Sequence, residues 1–106
     1  MKNLKQIAEE LKENLQSKLP GLIQKVILYG SHVSGKANEN SDIDLLLLLN
    51  KDIEWQTKEC IYDICNNINL KYDVWIDVNW IPVDDLNSIR GKQPFVQNAL
   101  NEGITV

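Results

Sequence analysis

Two aspartates, Asp42 and Asp44, stand at i and i+2 just before a run of five leucines, Leu45 to Leu49. On an extended segment, residues at that spacing project from one face, with Cα atoms about 6–7 Å apart. Two carboxylates on one strand face make an oxygen-rich pair suited to Mg²⁺. Such a pair at the mouth of an apolar strand pays a desolvation penalty, and a divalent cation relieves both that penalty and the mutual repulsion. An isolated Asp-x-Asp more commonly caps backbone at an exposed strand end. The residues around this one therefore decide its meaning.

Upstream, Gly30-Ser31-His32-Val33-Ser34-Gly35-Lys36 nearly spells a phosphate-binding P-loop. That pattern requires a hydroxyl after the lysine to ligate Mg²⁺ and a helix beyond it. Ala37 stands where the hydroxyl belongs, and Asn38-Glu39-Asn40-Ser41 is turn and cap composition. The P-loop reading fails, and the glycines and serines need another partner.

The elements that must position these residues follow from periodicity. Leu4, Ile7, Ala8, Leu11, Leu15 and Leu19 recur at helical spacing, opposite Glu9, Glu10, Lys12 and Glu13, and Pro20-Gly21 ends the helix. Leu22 to Tyr29 reads as a strand, and Gly30 to Asn40 as a polar turn region. Ser41 to Leu49 reads as a second strand whose leucines point both ways, which predicts a central strand covered on both faces. A helix is expected over Asn50 to Asn67, with Ile53, Thr57, Cys60, Ile61, Ile64 and Ile68 inward. A third strand is expected over Tyr72 to Ile81, broken by Pro82, then a short turn or helix at Val83 to Asn87. Pro94 opens a last helix through Asn101, Gly103 ends it, and Ile104 to Val106 suits a short edge strand. The order α-β-turn-β-α-β-α describes one α/β (α+β) domain over residues 1–106, a small sheet flanked by helices.

Bulk composition narrows the function. The chain has 106 residues and a net charge of -4, with no cluster of lysines and arginines. A nucleic-acid partner is disfavoured, since phosphate binding calls for a basic face. The longest apolar run is far short of a membrane span, and the N-terminal residues lack the apolar stretch of a signal peptide. A cytoplasmic location is expected. Cys60 and Cys65 lie five apart in a helical segment, so they read as free thiols and not as a redox pair or zinc half-site. His32, the single histidine, reads first as a loop residue without a nucleophile to serve and second as a phosphate contact; Lys36 reads first as a solvated lysine and second as a positive charge for phosphate. Trp55, Trp75 and Trp80 read first as core fillers, although Trp75 shares the alternating face of Asp73, Asp77 and Asn79 and is placed to stack on a base.

Taken together, Gly30-Ser31, Gly35 and Ser41-Asp42-Ile43-Asp44-Leu45 resemble the signature of the polymerase β-type nucleotidyltransferase superfamily. The small size and the ending PFVQNALNEGITV are most similar to its minimal branch, the MNT-type proteins that serve as antitoxins to HEPN-domain toxins. The resemblance implies that Gly30, Ser31 and Ser41 bind the nucleotide, and that Asp42 and Asp44 hold Mg²⁺. It also implies a third carboxylate from a later strand that binds metal and helps activate the attacking hydroxyl. Asp77, expected in mid-strand, suits that role better than Asp73 at the strand start, because a mid-strand acid needs a partner more. One departure stands out: many relatives carry an arginine in the stretch occupied here by His32-Val33-Ser34.

The implied activity is Mg²⁺-dependent transfer of a nucleoside monophosphate, AMP from ATP, onto a hydroxyl, with a tyrosine of a cognate HEPN toxin as acceptor. A non-catalytic binding antitoxin is the alternative from another class. A third is the catalytic subunit of a small-molecule nucleotidyltransferase, although enzymes of that kind add a helical domain. A chain this small leaves its active face open to a partner or a second copy.

Overall fold

The computed structural model describes residues 3–35 and 42–106. Helix α1 spans Leu4–Lys18. The Asn3 side chain caps it by accepting from the Gln6 amide at 3.1 Å, satisfying one of the free donors of the first turn. Ile7, Ala8, Leu11 and Leu15 form its buried stripe. Gly21, at φ +78°, completes the turn into strand β1, Ile23–Tyr29. The short helix α2, Ser31–Ser34, follows at once and is itself followed by Gly35.

Strand β2, Ile43–Leu49, lies between β1, to which it is antiparallel, and β3, Ile76–Pro82, to which it is parallel. The parallel pair is joined by helix α3, Trp55–Tyr72, as a parallel connection requires. Two short 3₁₀ turns, Val83–Asp85 and Arg90–Lys92, lead to helix α4, Pro94–Glu102. Strand β4, Ile104–Thr105, then pairs antiparallel with β1. The sheet order is β3-β2-β1-β4, a mixed four-stranded sheet with helices.

The five leucines explain the layers. Leu45, Leu47 and Leu49 join Ile7, Leu11, Leu15, Ile61, Ile64 and Ile68 in one apolar cluster. Leu46 and Leu48 point the other way, to Ile27, Tyr29, Ile81, Val96 and Ala99. β2 is thus the central strand that its double-sided leucines predict.

Four expectations need correction. α3 runs from Trp55 to Tyr72, five residues later at each end than the periodicity suggested. Its last turn is held to α1, because Lys71 and the Tyr72 hydroxyl both donate to Glu10, at 2.7 and 3.1 Å. β3 accordingly begins at Ile76, and Asp73, with φ 52°, is the left-handed residue that ends α3 and not a strand residue. The turn region after Gly30 contains α2, while Lys36 and Ser41 lie outside the described residues. Two of the tryptophans are not core fillers: Trp55 and Trp75 are each 62% exposed, whereas Trp80 packs half-buried against the apolar cluster and the Tyr62 ring, as a core filler would. Cys65 is buried, Cys60 is half-buried, and both are free.

Candidate active site

β1, β2 and β3 deliver one residue each to a common row. Tyr29 is the register partner of Asp44, and Asp44 is the register partner of Asp77. Neighbouring strands lie about 4.8 Å apart, and in-register side chains on one face meet. The two carboxylates lie close enough for Asp77 to raise the Asp44 carboxyl. They share the sheet face of Leu46, Leu48 and Ile81, but lie past the apolar cluster on that face, with Asp44 half-buried and Asp77 exposed. Asp42, exposed just ahead of β2, acts on Asp44 through its charge.

The turn after β1 closes over this row. Gly30 has φ 80° and ψ -151°, a region that only glycine occupies comfortably. A Cβ built there would stand 2.2 Å from Asp44 Oδ2, inside any permitted contact. The missing side chain is therefore what lets the Asp44 carboxylate lie directly beneath the turn. The Gly30 carbonyl accepts from the amides of Val33 and Ser34, each at 3.0 Å, and this winds α2 with Ser31 at its start.

The charges are not balanced locally. Burial raises the Asp44 carboxyl above its ordinary value, and the charges of Asp77 and Asp42 and the hydrogen bond to Asp77 raise it further; His32 pulls it partway back. Burial likewise raises the Tyr29 hydroxyl, opposed by a hydrogen bond with Asn79 and reinforced by the charges of Asp44 and Asp77. A site of this kind holds negative charge at a cost, and a cation offsets that cost.

The donor set fits Mg²⁺. Among the described residues, no three His, Cys, Asp or Glu side chains gather into a metal-holding group. Two carboxylates do converge, and Mg²⁺ is commonly held by one or two carboxylates with waters and substrate phosphates completing its shell. The oxygen-only character of Asp44 and Asp77 disfavours softer metals.

The structure brings Gly30, Asp44 and Asp77 together, with Ser31 on the adjoining turn and Asp42 at the rim; Ser41 lies outside the described residues. The sequence alone gives three neighbours no leading role. Tyr29 directly precedes the Gly-Ser pair, and Asn79 shares the alternation of Asp77, yet only the strand register joins them. His32 sits half-buried in α2, near enough to influence Asp44, and not on a solvated loop. A depression of about 490 Å³ lined by Lys18, Leu22, Lys51, Asp52 and Thr57 lies at the other end of β1, away from the carboxylates.

This fold and site define a class. Residues 4–105 match the nucleotidyltransferase domain family, and the chain belongs to that family as a nucleotidyltransferase. Two Methanocaldococcus jannaschii chains, each named as a candidate protein adenylyltransferase, are 33% and 31% identical to it over 101 residues. The matches cover 95% of this chain in both cases, and 95% and 96% of the relatives. Among solved structures, the spectinomycin adenyltransferase of Enterococcus faecialis, with ATP and spectinomycin, superposes with TM-score 0.68 at 21% identity. That match covers 81% of this chain and 37% of the larger one. A toxin-antitoxin structure with AMP-PNP superposes with TM-score 0.62 at 20% identity, covering 92% of this chain and 70% of that one. A tri-AMPylated HEPN toxin in complex with its MNT antitoxin, from Shewanella oneidensis, gives TM-score 0.57 at 17% identity over 95% of this chain and 69% of that one. These structures share the fold. Among the described residues, no helix is long and apolar enough to cross a membrane.

Proposed function

We propose that this chain, as one minimal nucleotidyltransferase domain, is a Mg²⁺-dependent protein adenylyltransferase of the cytoplasm. It moves AMP from ATP onto a tyrosine hydroxyl of a HEPN-domain toxin and serves as that toxin's antitoxin. The observation that carries the reading is the in-register meeting of Asp44 and Asp77 beneath the side-chain-free turn at Gly30. The adenylyltransferase names of its relatives and the toxin-antitoxin neighbours in fold support the same reading.

The division of labour follows from position. The Gly30–Ser31 turn receives the triphosphate, with backbone close to the phosphates and the Ser31 hydroxyl as donor. Asp42, Asp44 and Asp77 would hold Mg²⁺, which would supply charge neutralisation for the phosphates. Asp77, exposed on the outer strand, accepts the proton of the attacking hydroxyl. A new bond forms from the tyrosine oxygen to the α-phosphorus. The bond from that phosphorus to the α–β bridging oxygen breaks, and pyrophosphate leaves. His32, in α2, stands in the stretch where many relatives keep an arginine, and offers a ring nitrogen to the same phosphates.

Intact-mass measurement of a HEPN-domain protein encoded beside this chain, after incubation with ATP and Mg²⁺, tests the proposal. A gain of one or more AMP units, abolished by Asp44→Asn and strongly slowed by Asp77→Asn, is the expected result. A stable complex with no mass gain would sink the catalytic reading and leave a binding antitoxin.

A further inference from the structure

The order of strands gives the reaction a direction. The proposed triphosphate turn follows β1, Asp44 is on β2, and Asp77 is on β3, the outermost strand on that side. In-line displacement at phosphorus puts the attacking oxygen opposite the leaving group. With pyrophosphate over the Gly30–Ser31 turn, the acceptor approaches over β3. This step rests on the function proposed above.

Trp75 stands on that approach. Val74, Ile76 and Val78 turn into the α1–α3 side of the sheet, so alternation puts Trp75 on the face of Asp77. The Ile43 amide donates to the Trp75 carbonyl at 2.8 Å, which ties the Trp75 backbone to the first pair of the β2–β3 ladder, Ile43 with Ile76, on the approach to Asp77. Its side chain is 62% exposed. Exposure alone means little, since Trp55 is equally exposed at the start of α3. What sets Trp75 apart is its position two residues from Asp77, a Cα separation of about 6–7 Å along an extended chain. That separation matches the reach of a phenol whose oxygen meets the Asp77 carboxylate while its ring lies on the indole. Adenine, held away from the α-phosphorus by the whole ribose, is a poorer match.

We propose that Trp75 is the acceptor platform: its indole stacks on the phenolic ring of the acceptor and selects tyrosine over aliphatic hydroxyls. Aromatic stacking of this kind makes a modest, geometry-dependent contribution, equivalent to about a 2- to 12-fold change in an equilibrium or rate ratio.

The test uses the HEPN-domain protein of the mass experiment and a version with its modified tyrosine changed to serine. With wild-type enzyme, Trp75→Phe and Trp75→Ala, kcat/KM is measured for both acceptors, KM is measured for ATP, and the affinity of the protein complex is titrated separately. Trp75→Ala is expected to lower the tyrosine-over-serine preference about 2- to 12-fold, with KM for ATP unmoved and Trp75→Phe retaining most of the preference. An unchanged preference overturns the inference, as does equal loss on both acceptors from weakened docking. A raised KM for ATP would assign the indole to adenine instead. Wild-type enzyme that modifies neither protein sinks the adenylyltransferase reading itself, an outcome separate from active enzyme indifferent to Trp75.

Discussion

Gly30→Ala probes the contact on which the site is built. Two costs are expected, and the structure separates them. The first is conformational: φ 80° with ψ -151° costs a side-chain-bearing residue about 1–3 kcal/mol. The second is steric: the new methyl would stand 2.2 Å from Asp44 Oδ2 and 3.1 Å from its Cγ, and relieving such an overlap typically costs about 1–3 kcal/mol. Gly21→Ala is the control, because Gly21 has a similar φ of +78° but nothing within 4 Å of a built Cβ. Gly30→Ala should therefore destabilise more than Gly21→Ala. A double-mutant cycle with Asp44→Ala isolates the steric share, since that change deletes the two nearest atoms and leaves Asp44 Cβ at 3.3 Å. A coupling of at least about 1 kcal/mol is expected, within the range found for residues in contact. Urea denaturation in EDTA reads the stabilities without a bound cation, and AMP transfer read alongside should fall with Gly30→Ala as the carboxylate is pushed from beneath the turn. Equal costs for the two glycines, no coupling to Asp44 and full transfer would together refute the claim that Gly30 is glycine to admit the Asp44 carboxylate.

Three further outcomes are expected. The raised Asp44 carboxyl means that the folded protein holds this proton more tightly than the unfolded chain does. Without metal, its contribution to stability is therefore present below the ordinary aspartate value of about 4 and is lost as pH rises through the raised one. Melting curves in EDTA should show this slope in wild type, and Asp44→Asn should flatten it; superimposable pH profiles would contradict the assigned cause. The Cys65 thiol, pushed up to about 12 by burial, should resist alkylation in the native protein at neutral pH, while half-buried Cys60 reacts first, as peptide mapping after iodoacetamide can read. Leu47→Ala, at a fully buried position of the central strand, should cost about 2–5 kcal/mol in chemical denaturation; a loss below about 1 kcal/mol would contradict its place in the core.

Much of the architecture was legible because its periodicities are local. The α1 stripe, the double-sided leucines of β2, and the Pro94 and Gly103 punctuation of α4 each follow from side-chain spacing or backbone freedom within a few residues. The boundary between α3 and β3 was misread for the opposite reason. Tyr72 favours a strand by its local propensity, but its hydroxyl and the neighbouring Lys71 are drawn to Glu10, 62 and 61 residues away, and the helix continues through both. Trp55 and Trp75 were misread because bulk and hydrophobicity say what a side chain prefers, while its place at the start of a helix or strand decides whether a core is within reach.

The candidate site divides in the same way. The sequence by itself determined the chemical inventory: Gly30-Ser31 before a polar turn, Asp42 and Asp44 two residues apart, and Asp77 inside a later apolar strand. Those features survive in any strand arrangement, since alternation and glycine's φ range are properties of single residues. Only the tertiary structure decided that Asp44 meets Asp77, that Tyr29 and Asn79 join them, and that a missing Cβ admits the carboxylate beneath the turn. Register is the physical reason: sliding β3 by one residue along β2 would turn Asp77 into the α1–α3 core and leave Asp44 without its partner.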